Sequence, residues 1–152
     1  MKLIFSLILS LTMASAFAVF DQFNHDNTIS GPDLNNNGIR DDIEVYIAAQ
    51  AYTPAQRQSM QQAAKAIANI LRVNTIDQNE LRASDLSLQK SINCAWSRFP
   101  VSGAVTASTE LKMIQKITVN TKARVEVYAK YQIAMNGKVL ASPQGDSCES
   151  RN

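Results

Sequence analysis

Side-chain oxygens crowd one short stretch of this chain. It reads D-L-N-N-N-G-I-R-D-D-I-E over residues 33–44. Asp33, Asn35 and Asn37 alternate, Gly38 follows, and Asp41 and Glu44 come next at longer spacing. Alternate residues of a tight turn aim their side chains to one side, and a glycine lets the backbone turn sharply. Carboxylate and amide oxygens gathered in this way suit a hard cation such as calcium. Calcium takes about six to eight oxygen ligands at roughly 2.3–2.6 Å.

The stretch resembles the EF-hand calcium loop, D-x-[DN]-x-[DN]-G followed by five residues and Glu. The resemblance implies a ligand set. Asp33, Asn35 and Asn37 stand at positions one, three and five, and Ile39 at seven offers its backbone carbonyl. Asp41 stands at position nine, and Glu44 at twelve offers both carboxylate oxygens. Two features depart from the EF-hand. Arg40 occupies position eight, where an EF-hand has an aliphatic residue that pairs with a second loop, and the chain has no second loop of this pattern. The approach, N-T-I-S-G-P over residues 27–32, reads as turn rather than as an incoming helix. The segment is therefore similar to the solitary calcium loops of dockerins and thrombospondin type 3 repeats, with an exiting helix only. It also resembles a loop-and-helix feature of small exported bacterial proteins of unknown role. The resemblance covers residues 33–44 alone. It implies Ca2+ as cofactor, filling at about 10⁻⁴–10⁻³ M as in extracellular modules. The same run of Asp and Asn would also cap a helix without a metal, so both readings stand at this level.

The elements that must hold this loop read as helical. After it, Ile43, Tyr46, Ile47 and Ala51 share one helical face. Thr53, Pro54 and Gln56 mark a second helix start with a capping box. Met60, Ala63, Ala64, Ile67, Ile70 and Leu71 make its buried stripe, against a polar face of Gln58, Gln61, Gln62 and Lys65. Asp77 and Glu80 suggest another capping box. Leu81, Leu88, Ile92, Ala95 and Phe99 follow at helical spacing, with Ser84-Asp85 a point where the run could break. Trp96 is expected in the core or on its edge. Pro100 and Gly103 end this segment. A last long helix is expected from Ser108 to Met135, with Leu111, Ile114, Thr118, Thr121, Val125 and Tyr128 as its stripe. Asn136-Gly137 stops it. Part of that stretch, rich in Val and Thr, also suits a strand. The expected fold is mainly α: a bundle of about four helices, an N-terminal calcium loop and a C-terminal tail tethered by a disulfide.

The first eighteen residues have another character. Lys2 precedes an apolar run, LIFSLILSLTM, and small residues follow it. This is the layout of a secretory signal peptide, with cleavage expected after Ala18 or else after Ala16. The run is too short for a stable membrane span, and no later run reaches the roughly 18 residues a span needs. The expected location is therefore periplasmic or secreted. In an oxidising compartment Cys94 and Cys148, the two cysteines of the chain, should join. The organisation is read as signal peptide 1–18, irregular lead 19–32, calcium loop 33–44, helical domain 45–140 and polar tail 141–152, pinned by Cys148.

Composition narrows the function. The chain has 152 residues, 45% hydrophobic and 18% charged, with net charge +2. That excludes a disordered chain and a strongly basic nucleic-acid binder. Acids concentrate before Val45, where Arg40 is the one base between Asp21 and Glu44. Bases dominate afterwards. Lys112, Lys116, Lys122, Arg124 and Lys130 are read as a solvated face, with Glu126 and Lys130 an i,i+4 pair. His25 is the single histidine and has no nucleophile elbow near it. No His-Glu-x-x-His, Gly-rich phosphate loop or paired carboxylate site is legible, so no enzyme is expected. Two functional classes remain. One is an exported calcium-stabilised interaction or adhesion module. The other is a periplasmic inhibitor or immunity-type protein that binds a protein partner.

Overall fold

A computed structural model describes residues 22–138 and 143–149. The expected signal peptide lies outside the described residues. Five helices follow in order: α1 Asp41–Ala49, α2 Pro54–Ile70, α3 Gln78–Arg98, α4 Ala107–Thr118 and α5 Lys122–Met135. Among the described residues the structure is all-α.

Helix starts follow the local chemistry. Thr53 caps α2: its hydroxyl accepts from Gln56 N–H, and the Gln56 side chain accepts from Thr53 N–H, with Pro54 in the first turn. This satisfies two orphan amides reciprocally. Thr106 and Thr109 form a second box at the start of α4. At α3 the cap is simpler than expected. Asp77 accepts from Asn79 and Glu80 N–H, but the Glu80 carboxylate turns away to accept from Asn74 N–H. Ser84-Asp85 does not break α3, which runs unbroken through both residues.

The expected long helix at 108–135 is two helices. α4 ends at Val119 and α5 restarts with Thr121 as N-cap, its hydroxyl accepting from Arg124 N–H. Asn120 between them turns its side chain to the N-terminal lead and to two arginines. The strand alternative for this stretch does not occur.

Helices α2, α3 and α4 pack together, and α1 lies against α2. Met60, Ala64 and Ile67 of α2 meet Ile43 and Ile47 of α1, Ala95 of α3 and Ile114 and Ile117 of α4 in the main core. Phe23 of the lead enters the same core and sets its ring edge-on to Tyr46, with centroids 5.8 Å apart. A smaller cluster joins Ile70, Leu81 and Tyr131. Trp96, expected in the core or on its edge, is not a core residue: it is 49% exposed. Ala95, and Phe99 at the C-cap of α3, are buried as the helical spacing predicts.

Cys94 and Cys148 are bonded. The tail beside Cys148 is held by side chains as well. Asn93 donates to Gly145 O and Ser147 Oγ, and Arg98 pairs with Asp146 at 2.7 Å. Gln62, assigned to the polar face of α2, is buried. Its amide donates to Ser147 O and accepts from Glu149 N–H.

Candidate functional site

Residues 33–44 form one closed loop that runs directly into α1. Asp33 accepts from Asn37 N–H at 3.1 Å and from Gly38 N–H at 2.9 Å, one bond to each carboxylate oxygen. Asn35 Oδ1 accepts from Asn37 N–H, and Asn37 Oδ1 accepts from Ile39 N–H at 2.8 Å. Asp41 Oδ1 accepts from Leu34 N–H at 3.1 Å. Asn36 and Gly38 hold positive φ, 54° and 88°. Glycine takes such a backbone without cost, and asparagine tolerates it better than most residues.

Glu44 closes the loop from the first turn of α1. Its Oε2 accepts from Asn35 Nδ2 at 2.9 Å, and its Oε1 accepts from Asn37 Nδ2 at 2.5 Å. The residues expected at positions one, three, five, nine and twelve thus share one hydrogen-bonded turn. Ile39 presents only its backbone there, because its side chain is buried in the main core.

Three carboxylates, two amides and a backbone carbonyl are donor types that a hard cation takes. Among the described residues no group of three or more His, Cys, Asp or Glu side chains converges as a metal cluster. Asp33 and Asp41 accept from separate backbone N–H donors, and the two asparagine amides are set against Glu44. Each asparagine Oδ1 accepts one hydrogen bond and keeps a second lone pair.

Arg40 has a role that its place in the loop pattern conceals. It is 4% exposed. Its Nε pairs with Asp42 at 2.6 Å, and its Nη2 donates to Ile117 O at 2.8 Å. In place of an aliphatic contact to a second loop, Arg40 bolts this loop to the end of α4. Arg124 corrects the solvated-face reading, being fully buried at 0% exposure. It donates to Asn24 O, Asn24 Oδ1, Ile29 O, Asn120 Oδ1 and Asp26 Oδ1. Burial, followed by the neighbouring charge of Arg40, pushes the Arg124 pKa down. Asp26 is held below its ordinary value, first by its bond from Thr28 and with a smaller contribution from Arg124. A lone arginine in a polar run carries no sequence mark that separates a buried hub from a solvated charge.

Away from this site, Tyr52 donates to Glu110 and packs edge-on to Phe99. Burial, reinforced by Glu110, raises the Tyr52 pKa far above the phenol range. His25 is exposed and belongs to the lead segment. Comparison with protein-family models, characterised proteins and solved structures gives no match to this chain.

Proposed function

We propose that this is an exported helical protein in which Ca2+ acts structurally, tying the N-terminal segment to the bundle to stabilise an interaction or adhesion module. One observation carries the reading: the Glu44 carboxylate folds back so that both its oxygens face Asn35 and Asn37, while Asp33 gathers the amides of Asn37 and Gly38. Asp33, Asn35, Asn37, the Ile39 carbonyl, Asp41 and Glu44 would hold the ion. A bound Ca2+ supplies the positive charge that offsets repulsion among the three carboxylates. Arg40 and Asp42 then transmit that order to α4 and to the lead.

The experiment is calcium titration by calorimetry on the chain from Val19, with Glu44→Gln beside it. The reading predicts binding at about 10⁻⁴–10⁻³ M, lost in the variant. An unchanged affinity in Glu44→Gln removes the assignment and leaves a polar helix cap.

A second reading, a periplasmic inhibitor or immunity-type protein with a protein partner, is favoured by one observation. Trp96 is exposed on α3 two residues beyond the disulfide cysteine, and exposed tryptophans are enriched at interfaces. Alanine at Trp96 should leave folding intact and abolish capture of such a partner.

A further inference from the structure

Helix α5 is seated differently from the other helices. It buries only Arg124 and Tyr131, and its packing against the other helices is sparse beside that of α2, α3 and α4. Tyr131 seats the C-terminal half among Ile70 and Leu81, its hydroxyl donating to Asp85 at 2.8 Å. Arg124 seats the N-terminal half. Most of its acceptors belong to Asn24, Asp26 and Ile29 of the lead, not to another helix.

Those lead residues are tied to the loop in turn. Asn24 N–H donates to Asp42 Oδ2 at 2.5 Å, and Asp42 pairs with Arg40. Asn120 Oδ1 accepts from both guanidinium groups. Gly31, at φ 67°, lies so close that a Cβ there would fall 2.3 Å from Arg40 Cδ and 3.2 Å from Arg124 Nη2. The lead is thus clasped between one arginine of the loop and one of α5.

We infer that the loop at residues 33–44 controls the docking of α5 through this clasp. The inference rests on the calcium reading and names what calcium would regulate. An ion that fixes the loop fixes Arg40 and Asp42. These fix residues 24–31, and the lead completes the seat of Arg124. A buried guanidinium without its acceptors is strongly unfavourable, so a loosened lead releases α5 from its Arg124 end. The released helix uncovers Ile70 and Leu81. Loosely packed elements open in this way as local units.

Hydrogen exchange of the oxidised chain from Val19, in chelator and in about 2 mM calcium, tests the link at a concentration above the expected affinity. Calcium should slow exchange in the loop and, by about tenfold, in α5, a coupling of ordinary size. Gly31→Ala touches no proposed ligand; its Cβ would fall against Arg40 and Arg124 and force the clasp apart, so it should erase the response of α5 and keep that of the loop. Slowing in the loop without slowing in α5 overturns the inference and leaves calcium binding standing. No response anywhere, with no heat of binding, overturns both. If Gly31→Ala does not fold, Arg124→Lys replaces it. Reciprocity requires that loosening α5 lower calcium affinity by the same factor by which calcium tightens α5. Unchanged affinity in Arg124→Lys contradicts the coupling.

Discussion

At the scale of single residues, the arginines carry more of the architecture than their number suggests. Arg40 and Arg124 are both buried and both reach Asn120. Arg124→Met should destabilise the chain by about 3 kcal/mol in urea unfolding, because lead carbonyls and Asp26 lose a charged donor. An exposed lysine such as Lys130 mutated to Met should change stability by less than about 0.5 kcal/mol. Asp26 and Asp146 predict the acid response. Thr28 lowers the Asp26 pKa, and the Cys148 N–H, followed by Arg98, lowers that of Asp146. A carboxyl that is more acidic folded than unfolded contributes stability that is complete above its unfolded value. That contribution is lost as pH falls through the folded value. Stability should therefore fall with pH below about 3.8, and Asp146→Asn should flatten the slope measured by urea unfolding across that range. That Asp33, Asn35, Asn37, Asp41 and Glu44 share one turn was legible from type and spacing alone, since each bonds within the loop. Arg40 and Arg124 were not, because their partners lie up to 100 positions away in the chain.

Among the elements, local signals and tertiary signals separate clearly. The start of α2 is written in Thr53, Pro54 and Gln56, and its stripe from Met60 to Leu71 is buried as the 3.6-residue period requires. The break between α4 and α5 is weakly written. Thr121 is a good N-cap, but Asn120 leaves the helix for tertiary partners, so an apolar stripe counted straight through it spans two helices. Even so, α5 buries Tyr131, where that stripe stopped at Tyr128. The Glu126–Lys130 pair also gives way: Glu126 faces Lys122 at 3.9 Å. Tyr131→Phe tests how α5 is held at its far end. Asp85 Oδ2 already lacks a hydrogen-bond partner, and the mutation removes the bond at Oδ1. A loss of about 1–3 kcal/mol is expected, read as faster exchange across α5. A loss no greater than that of an exposed tyrosine would mean that the cluster with Ile70 and Leu81 holds the helix without the hydroxyl.

Across the whole molecule, two ties join the chain ends to one bundle. The disulfide closes a separation of 54 positions, which in the chain-entropy account stabilises by up to about 4 kcal/mol. Reduction should free residues 143–149 from α2 and α3, seen as cleavage by protease near Cys148, and should lower the unfolding midpoint. At the other end, Phe23, Asn24 and Asp26 bind the lead to the core and to α5. The all-α class and the Cys94–Cys148 bond were legible because helical period and a lone cysteine pair are local or countable features. The exposure of Trp96 was missed because its size and apolar ring were weighed above the helical spacing, which already put Ala95 and Phe99 on the inward face. The central claim is that a cation at residues 33–44 stabilises this whole arrangement. Thermal unfolding of the oxidised chain from Val19, in chelator and then in about 2 mM calcium, tests it most directly. With an affinity near 10⁻⁴ M the ion adds about 1.8 kcal/mol, and the midpoint should rise by about 6 °C. The rise should vanish in Glu44→Gln. An identical midpoint in chelator and calcium, or an equal rise in the variant, would contradict the account.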